Sequence, residues 1–147
     1  MKPATFDYTR PGTRREACDL LHEFGDDARL IAGGQSLMAV LNMRFAQPGL
    51  SEKVPLLAQA MPWIGHAQTR NRGTVCGSIA HADPSAELPL CLTALGGEVV
   101  LEARKGKTRK LPAHEFFQGI LTTAKRTDEL ITEVRFPLGQ GNERYRF

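Results

Sequence analysis

Residues 64–89 read IGHAQTRNRGTVCGSIAHADPSAELP, and the chemistry of the chain is concentrated in them. The centre of the stretch runs Arg70-Asn71-Arg72-Gly73-Thr74, then Val75-Cys76-Gly77-Ser78, then His81-Ala82-Asp83-Pro84. Glycine lets a backbone approach a ligand closely and adopt positive φ. Threonine and serine beside it add short hydroxyl donors, and exposed backbone N–H groups form a concavity suited to an anion. A second stretch of this kind, Ala32-Gly33-Gly34-Gln35-Ser36, stands upstream. Either turn alone reads equally well as an ordinary loop. The two together point to one ligand with two phosphates, or with a phosphate and a polar ring.

Upstream of the centre, Phe6-Asp7-Tyr8 reads as a short strand and Arg10-Pro11-Gly12 as a turn. Thr13 with Glu16 three residues later forms a capping box. Ala17, Leu20, Leu21 and Phe24 then recur at helical spacing until Gly25 stops the helix. A strand from Arg29 to Ala32 runs into Gly33-Gly34, and a helix carrying Leu37, Val40, Leu41 and Arg44 starts there. Strand, glycine turn and helix are the order that aims N–H groups and a helix dipole at a phosphate. No GxGxxG is present, and no acidic residue follows a second strand at the proper distance, so a doubly wound dinucleotide fold is disfavoured.

Ser51 caps a further helix with Pro55 in its first turn, an apolar face of Val54, Leu57, Ala58 and Met61, and an end at Ile64-Gly65. Past the central stretch, Asp83-Pro84 reads as a helix start, because proline's missing N–H costs nothing there. Leu88, Cys91, Leu92 and Leu95 form the stripe of that helix, and Gly96-Gly97 ends it. Residues 98–103 and 108–111 alternate around Lys105-Gly106 as a hairpin. Residues 112–119 make a short helical turn with Phe116 and Phe117. In the last strand Leu130, Val134 and Phe136 share one face, and Ile131, Glu133 and Arg135 the other. The predicted class is α+β, mixed sheets with packed helices.

At 147 residues the chain amounts to one domain, or one domain and a fragment. It is 41% hydrophobic and 24% charged, with no repeats, which is ordinary for a globular protein. The net charge is +3, and the basic residues cluster only around Arg104-Lys105-Gly106-Lys107 and Thr108-Arg109-Lys110. That cluster reads as a solvated hairpin and not as a nucleic-acid surface. No stretch approaches the roughly 20 apolar residues of a membrane span. The N-terminus lacks an apolar signal core, so a cytoplasmic location is expected.

Cys18, Cys76 and Cys91 show no CxxC spacing, which argues against a disulfide framework or a zinc or iron–sulfur site. His81 and Asp83 lack further ligands at metal-binding spacing, and no metal site is expected. His22, His66 and His114 read as surface or structural residues. No nucleophile–base pair is evident, and no catalytic residue is assigned.

Five motifs in order, AGGQSL (32–37), LNMRFAQP (41–48), the central stretch, FFQGILTT (116–123) and DELITEVRFP (128–137), resemble the FAD-binding medium subunit of molybdenum hydroxylases of the carbon-monoxide-dehydrogenase and xanthine-dehydrogenase type. The resemblance covers nearly the whole chain. It implies a PCMH-type FAD-binding fold, with residues 1–50 as a first subdomain and 51–147 as a second. That fold would be incomplete here. The family pattern carries a further strand-rich segment where this sequence passes from Leu50 to Ser51, and a second, smaller domain past Phe147.

Carried over by position, the resemblance implies a first FAD loop at Leu30, Ile31, Ala32, Gly33, Gly34, Gln35, Ser36 and Leu37, whose glycines hold the pyrophosphate. A second loop comprises Thr74, Val75, Cys76, Gly77 and Ser78; the family usually has glycine where Cys76 stands and often asparagine at Ser78. Glu87 matches an acidic position that contacts FAD. Asp83 lies within reach, and a carboxylate there suits a ribose or adenine-side donor. Ile64 and Ile131 match apolar positions lining the cofactor. Arg70 and Arg72 contact the diphosphate, meet a neighbouring subunit or tie down a long loop.

The implied function is electron transfer. A large subunit carries the molybdenum cofactor and oxidises substrate, a small subunit carries two 2Fe-2S centres, and the FAD passes electrons to an external acceptor in a heterotrimeric oxidoreductase. The alternatives are a truncated non-redox fragment, or a stand-alone FAD oxidoreductase of the same superfold, as in peptidoglycan-precursor reductases.

Overall fold

The computed structural model describes residues 7–28, 30, 49–66, 73–139 and 144–147. Of the strand read at 29–32 only Leu30 is described, and it is not in a strand; the Gly33-Gly34 turn, the helix read after it, and Arg70 and Arg72 lie outside the described residues. Asp7 and Tyr8, read as strand, carry no strand, and Tyr8 is exposed.

Helix α1, Arg14–Phe24, starts as the capping box requires. Thr13 Oγ1 accepts from the Glu16 N–H at 3.1 Å, and Glu16 Oε2 reaches back to accept from the Gly12 N–H at 2.7 Å. Gly25, at φ +52°, ends the helix. Ala17, Cys18 and Leu21 form its buried face, while Phe24 turns outward.

The single helix expected after Ser51 is broken into α2, Leu50–Lys53, and α3, Pro55–Ala60, followed by a 3-10 turn, Met61–Trp63. Proline lacks an N–H and disfavours helical geometry in the residue before it. Val54 accordingly sits at φ −140°, ψ 71°, and Ser51 lies inside α2, with Gly49 at the N-cap position. Leu56, Leu57 and Ala60 turn inward from α3.

Helix α4 spans Val75–His81 and helix α5 spans Glu87–Ala94. Leu88, Cys91 and Leu92 of α5 are fully buried. Gly96, at φ +65°, turns the chain into the sheet. Strand β1, Glu98–Ala103, and strand β2, Lys107–Pro112, form the expected hairpin with residues 104–106 at its tip. Helix α6, Ala113–Phe116, then buries Phe116. Strands β3, Phe117–Gly119, and β4, Thr122–Thr123, form a small hairpin, and β5, Leu130–Arg135, pairs antiparallel with β1. The larger sheet has the order β2-β1-β5.

The register of β5 corrects the expected faces. Val100 pairs with Glu133 but Leu101 with Ile131, so Thr132 is an extra residue that shifts the alternation. Ile131 therefore enters the core, with Val134 and Phe136 packed against the same cluster, although a strict period of two places Ile131 on the polar face.

One apolar core joins α3, α5, α6 and the sheet, with Leu57, Ile64, Ile79, Leu88, Leu92, Val99, Leu101 and Phe116 each at most 2% exposed. Two non-local features fix its boundary. Gly97 donates to Leu92 O and accepts from the Ala113 N–H, each at 2.8 Å. A Cβ there would collide with the Leu92 side chain and lie 2.6 Å from Arg135 O. On the outer edge, Arg109 grips the buried Glu129 with two hydrogen bonds, Nε to Oε1 at 2.6 Å and Nη2 to Oε2 at 2.7 Å. Burial alone would raise the Glu129 carboxyl, but the bonds from Arg109 and the Arg126 N–H, with both positive charges, outweigh it. The pKa lies below its ordinary value.

Two outcomes follow. Gly97→Ala should destabilise the chain by about 1–3 kcal/mol through overpacking, seen as a lower Tm, whereas Gly119→Ala, where a Cβ would meet nothing closer than Thr122 Cβ at 3.9 Å, should have a smaller effect. Because Glu129 titrates lower when folded, its contribution is complete above the unfolded carboxylate pKa of about 4.3 and is lost as pH falls through the lower folded value. Glu129→Gln should therefore flatten the acid limb of a stability–pH curve, and an unchanged limb would exclude the ion pair as its source.

Candidate functional site

The central stretch folds as a capped helix. Thr74, with extended φ −132° and ψ 153°, is the N-cap of α4. Its Oγ1 accepts from the Gly77 N–H at 2.9 Å, and its carbonyl accepts from the Ser78 N–H at 3.0 Å. The loop expected at Thr74–Ser78 is thus the first turn of a helix. The glycine serves close approach and not positive φ: a Cβ on Gly77 would stand 2.7 Å from Thr74 Oγ1 and displace the capping hydroxyl.

Capping leaves two donors in that turn. The Val75 and Cys76 N–H groups precede the first intrahelical bond; among the described residues Val75 has no acceptor, and the Cys76 N–H is engaged only by its own thiol. Such amides at a helix N-terminus, half-exposed and beside a threonine hydroxyl, suit an anionic oxygen. Ser78 Oγ, in the middle of the helix, is buried with no hydrogen-bond partner among the described residues. Burial raises the Cys76 thiol, partly offset by its own backbone N–H, so it stays protonated and is a poor nucleophile.

At the far end of α4, Ala82 caps the helix at φ +52°, and its carbonyl accepts from the Leu121 N–H at 3.1 Å. The next residues do not start a helix. Asp83 Oδ1 accepts from the Ser85 N–H at 2.9 Å and the Ser85 hydroxyl at 2.7 Å, an Asx turn. The Ser85 hydroxyl, and then its N–H, lower the Asp83 pKa, keeping it a carboxylate. Helix α5 begins only at Glu87, whose half-buried carboxylate has no partner among the described residues.

The candidate residues therefore divide. Thr74, Val75, Cys76, Gly77 and Ser78 form one turn, Asp83 lies past the opposite end of α4, and Glu87 opens α5. Ile64 and Ile131 are core residues, 2% and 7% exposed. Leu30 is 48% exposed, and Ile31, Ala32, Gly33, Gly34, Gln35, Ser36 and Leu37 lie outside the described residues. The link between Ala82 and Leu121 was not foreseen from the sequence, since neither residue is a glycine and they are far apart in the chain. Among the described residues no three His, Cys, Asp or Glu side chains gather as metal ligands, and no helix is long and apolar enough to cross a membrane.

Residues 45–139 match the family described as the FAD binding domain in molybdopterin dehydrogenase. The 6-hydroxypseudooxynicotine dehydrogenase complex subunit alpha of Paenarthrobacter nicotinovorans is 36% identical over 174 aligned positions, covering 93% of this chain and 58% of that protein. Caffeine dehydrogenase subunit beta of Pseudomonas sp. (strain CBB1) is 34% identical over 175 positions, covering 94% and 59%. The fold also matches a chain of carbon monoxide dehydrogenase from Hydrogenophaga pseudoflava with a TM-score of 0.81 and 31% identity, covering 95% of this chain and 61% of that one. The chain thus spans about three-fifths of the length of these relatives. An alignment of 175 positions exceeds the 147 residues here, so the relatives carry residues inside the matched span that this chain lacks. The chain belongs to the FAD-binding family of the molybdopterin dehydrogenases.

Proposed function

We propose that this chain is the FAD-holding part of a molybdenum-dependent hydroxylase or dehydrogenase, an oxidoreductase component that takes electrons from iron–sulfur centres and delivers them to an external acceptor. The match of residues 45–139 to the FAD-binding family carries the reading. The residues present also fit the group. The Val75 amide, with no acceptor among the described residues, and the Cys76 amide, held only by its own thiol, offer donors to a phosphate, Gly77 leaves room for the Thr74 cap, and the buried Ser78 hydroxyl lacks a partner among the described residues.

In this reading the two stretches divide the cofactor between subdomains 1–50 and 51–147. Gly33, Gly34, Gln35 and Ser36, flanked by Leu30, Ile31, Ala32 and Leu37, take one side of the diphosphate, and the Thr74–Ser78 turn takes the other. Glu87, with Asp83 nearby, accepts from a ribose or adenine-side donor. Ile64 and Ile131, both in the apolar core, would support the site from beneath and offer it little surface of their own. Bound FAD supplies the redox chemistry, and the protein supplies binding, orientation and electrostatics. The Cys76 thiol, held protonated, adds no competing nucleophile.

The partners in this reading are a large subunit with the molybdenum cofactor and a small subunit with 2Fe-2S centres, assembled in the cytoplasm. Support comes from relatives named as a medium chain of carbon monoxide dehydrogenase and as subunits of caffeine and 6-hydroxypseudooxynicotine dehydrogenases. Their named substrates share little chemistry. Substrate selection therefore belongs to a partner, and this chain keeps the common electron-transfer task.

Flavin released by acid from the purified chain should co-migrate with FAD, because two anion-binding stretches suit a pyrophosphate; recovery of FMN would contradict the assignment. Gly77→Val should expel the Thr74 hydroxyl and weaken FAD binding by about tenfold or more, the scale of one lost charge-assisted contact. Gly34→Val should do the same from the other stretch. Titration by flavin fluorescence reads both, and unchanged affinity in either variant would remove that stretch from the site.

A further inference from the structure

Hairpin β3–β4 cannot hold its own shape. Its tip residues Ile120 and Leu121 are 75% and 57% exposed, so apolar burial does not anchor them. Leu121 sits at φ +53°, a conformation that a non-glycine residue keeps only when its surroundings enforce it. An isolated two-stranded hairpin is marginal in water. Yet the tip is docked, with the Leu121 N–H on Ala82 O, and Ala82 is itself at φ +52°.

The constraint comes from the base of the hairpin. The Ala124 N–H donates to Phe116 O at 2.8 Å, and Arg109 Nη2 donates to Ala124 O at 2.6 Å. The same guanidinium holds Glu129 through both oxygens. Glu129, its side chain 4% exposed, also accepts from the Arg126 N–H at 2.8 Å. Lys125 Nζ closes the loop by donating to Arg126 O and Glu129 O at 2.9 and 3.0 Å. A forked guanidinium–carboxylate contact fixes orientation as well as distance.

We propose that Arg109 and Glu129 are positioning residues for the cofactor site. By holding the base of β3–β4 against β2, they keep Leu121 on Ala82 and so hold the C-terminal end of α4, whose N-terminal end bears the Thr74–Ser78 turn. The proposal rests on the FAD reading of that turn. Neither residue needs to touch the cofactor. Helix α4 has seven residues and is about 10 Å long, so a shift at one end displaces the other.

The test uses the 147-residue chain and its Glu129→Gln and Arg109→Lys variants, with backbone hydrogen exchange and FAD titration as readouts. Glu129→Gln should speed exchange at the Leu121 amide by about tenfold and raise the Kd for FAD by about fivefold or more, the scale of one lost charged hydrogen bond. The buried Cys91 amide of α5 should keep its protection, which separates local release from unfolding. Arg109→Lys, which keeps the charge without the fork, should fall between the two. If Glu129→Gln also exposes Cys91, the lysine variant carries the test by the same criteria. Unchanged protection at Leu121, or faster exchange there with unchanged FAD affinity, would overturn the proposal. Failure of the unmodified chain to bind FAD would instead overturn the cofactor reading, and with it this coupling, before any variant is compared.

Discussion

The hydrogen bond from the Gly77 N–H to Thr74 Oγ1 is the contact on which the candidate site depends. A seven-residue helix does not form by propensity, since helices below about 12 residues are marginal alone. Helix α4 exists because threonine caps it, glycine at the third helical position leaves space for the cap, and Ile79 packs into the core. An N-cap of this kind contributes about 1 kcal/mol. The same cap leaves the Val75 amide without an acceptor among the described residues, so in the proposed reading the local stability of the turn and its capacity to receive an anion have one origin.

Sequence alone conveyed those elements whose signals are local. Thr13 and Glu16 specify the start of α1, Leu88, Cys91 and Leu92 mark the buried face of α5, and Lys105-Gly106 marks the tip of β1–β2. It failed where two local signals compete. Pro55 reads as a first-turn proline, and it is one, but it also forces Val54 out of helical geometry and divides the helix. Asp83-Pro84 looks like a helix start, yet the Asp83 carboxylate bonds Ser85 and makes a turn, delaying α5 to Glu87. The glycine in VCGS reads as a turn because glycine permits close approach and positive φ; packing and the threonine cap make it helical instead, against glycine's weak helix propensity.

Other features are invisible locally. The extra residue Thr132 is recognisable only from the register of β5 against β1, and without it Ile131 falls on the wrong face. Arg109 and Glu129 lie in different elements, and nothing in either segment names the other. Of the candidate site, the Thr74–Ser78 turn was legible as a cluster, though as a loop. The separation of Asp83 from that turn by the length of α4 could be known only once the helix was seen.

The central claim is the proposal that the first turn of α4 receives the FAD diphosphate through the Val75 and Cys76 amides. Proton–nitrogen correlation spectra of the labelled chain, recorded during titration with FAD, test it most directly. The account predicts large downfield shifts of the Val75 and Cys76 amide protons, saturating together with the flavin fluorescence change. Flavin binding that leaves both amides unmoved would contradict it.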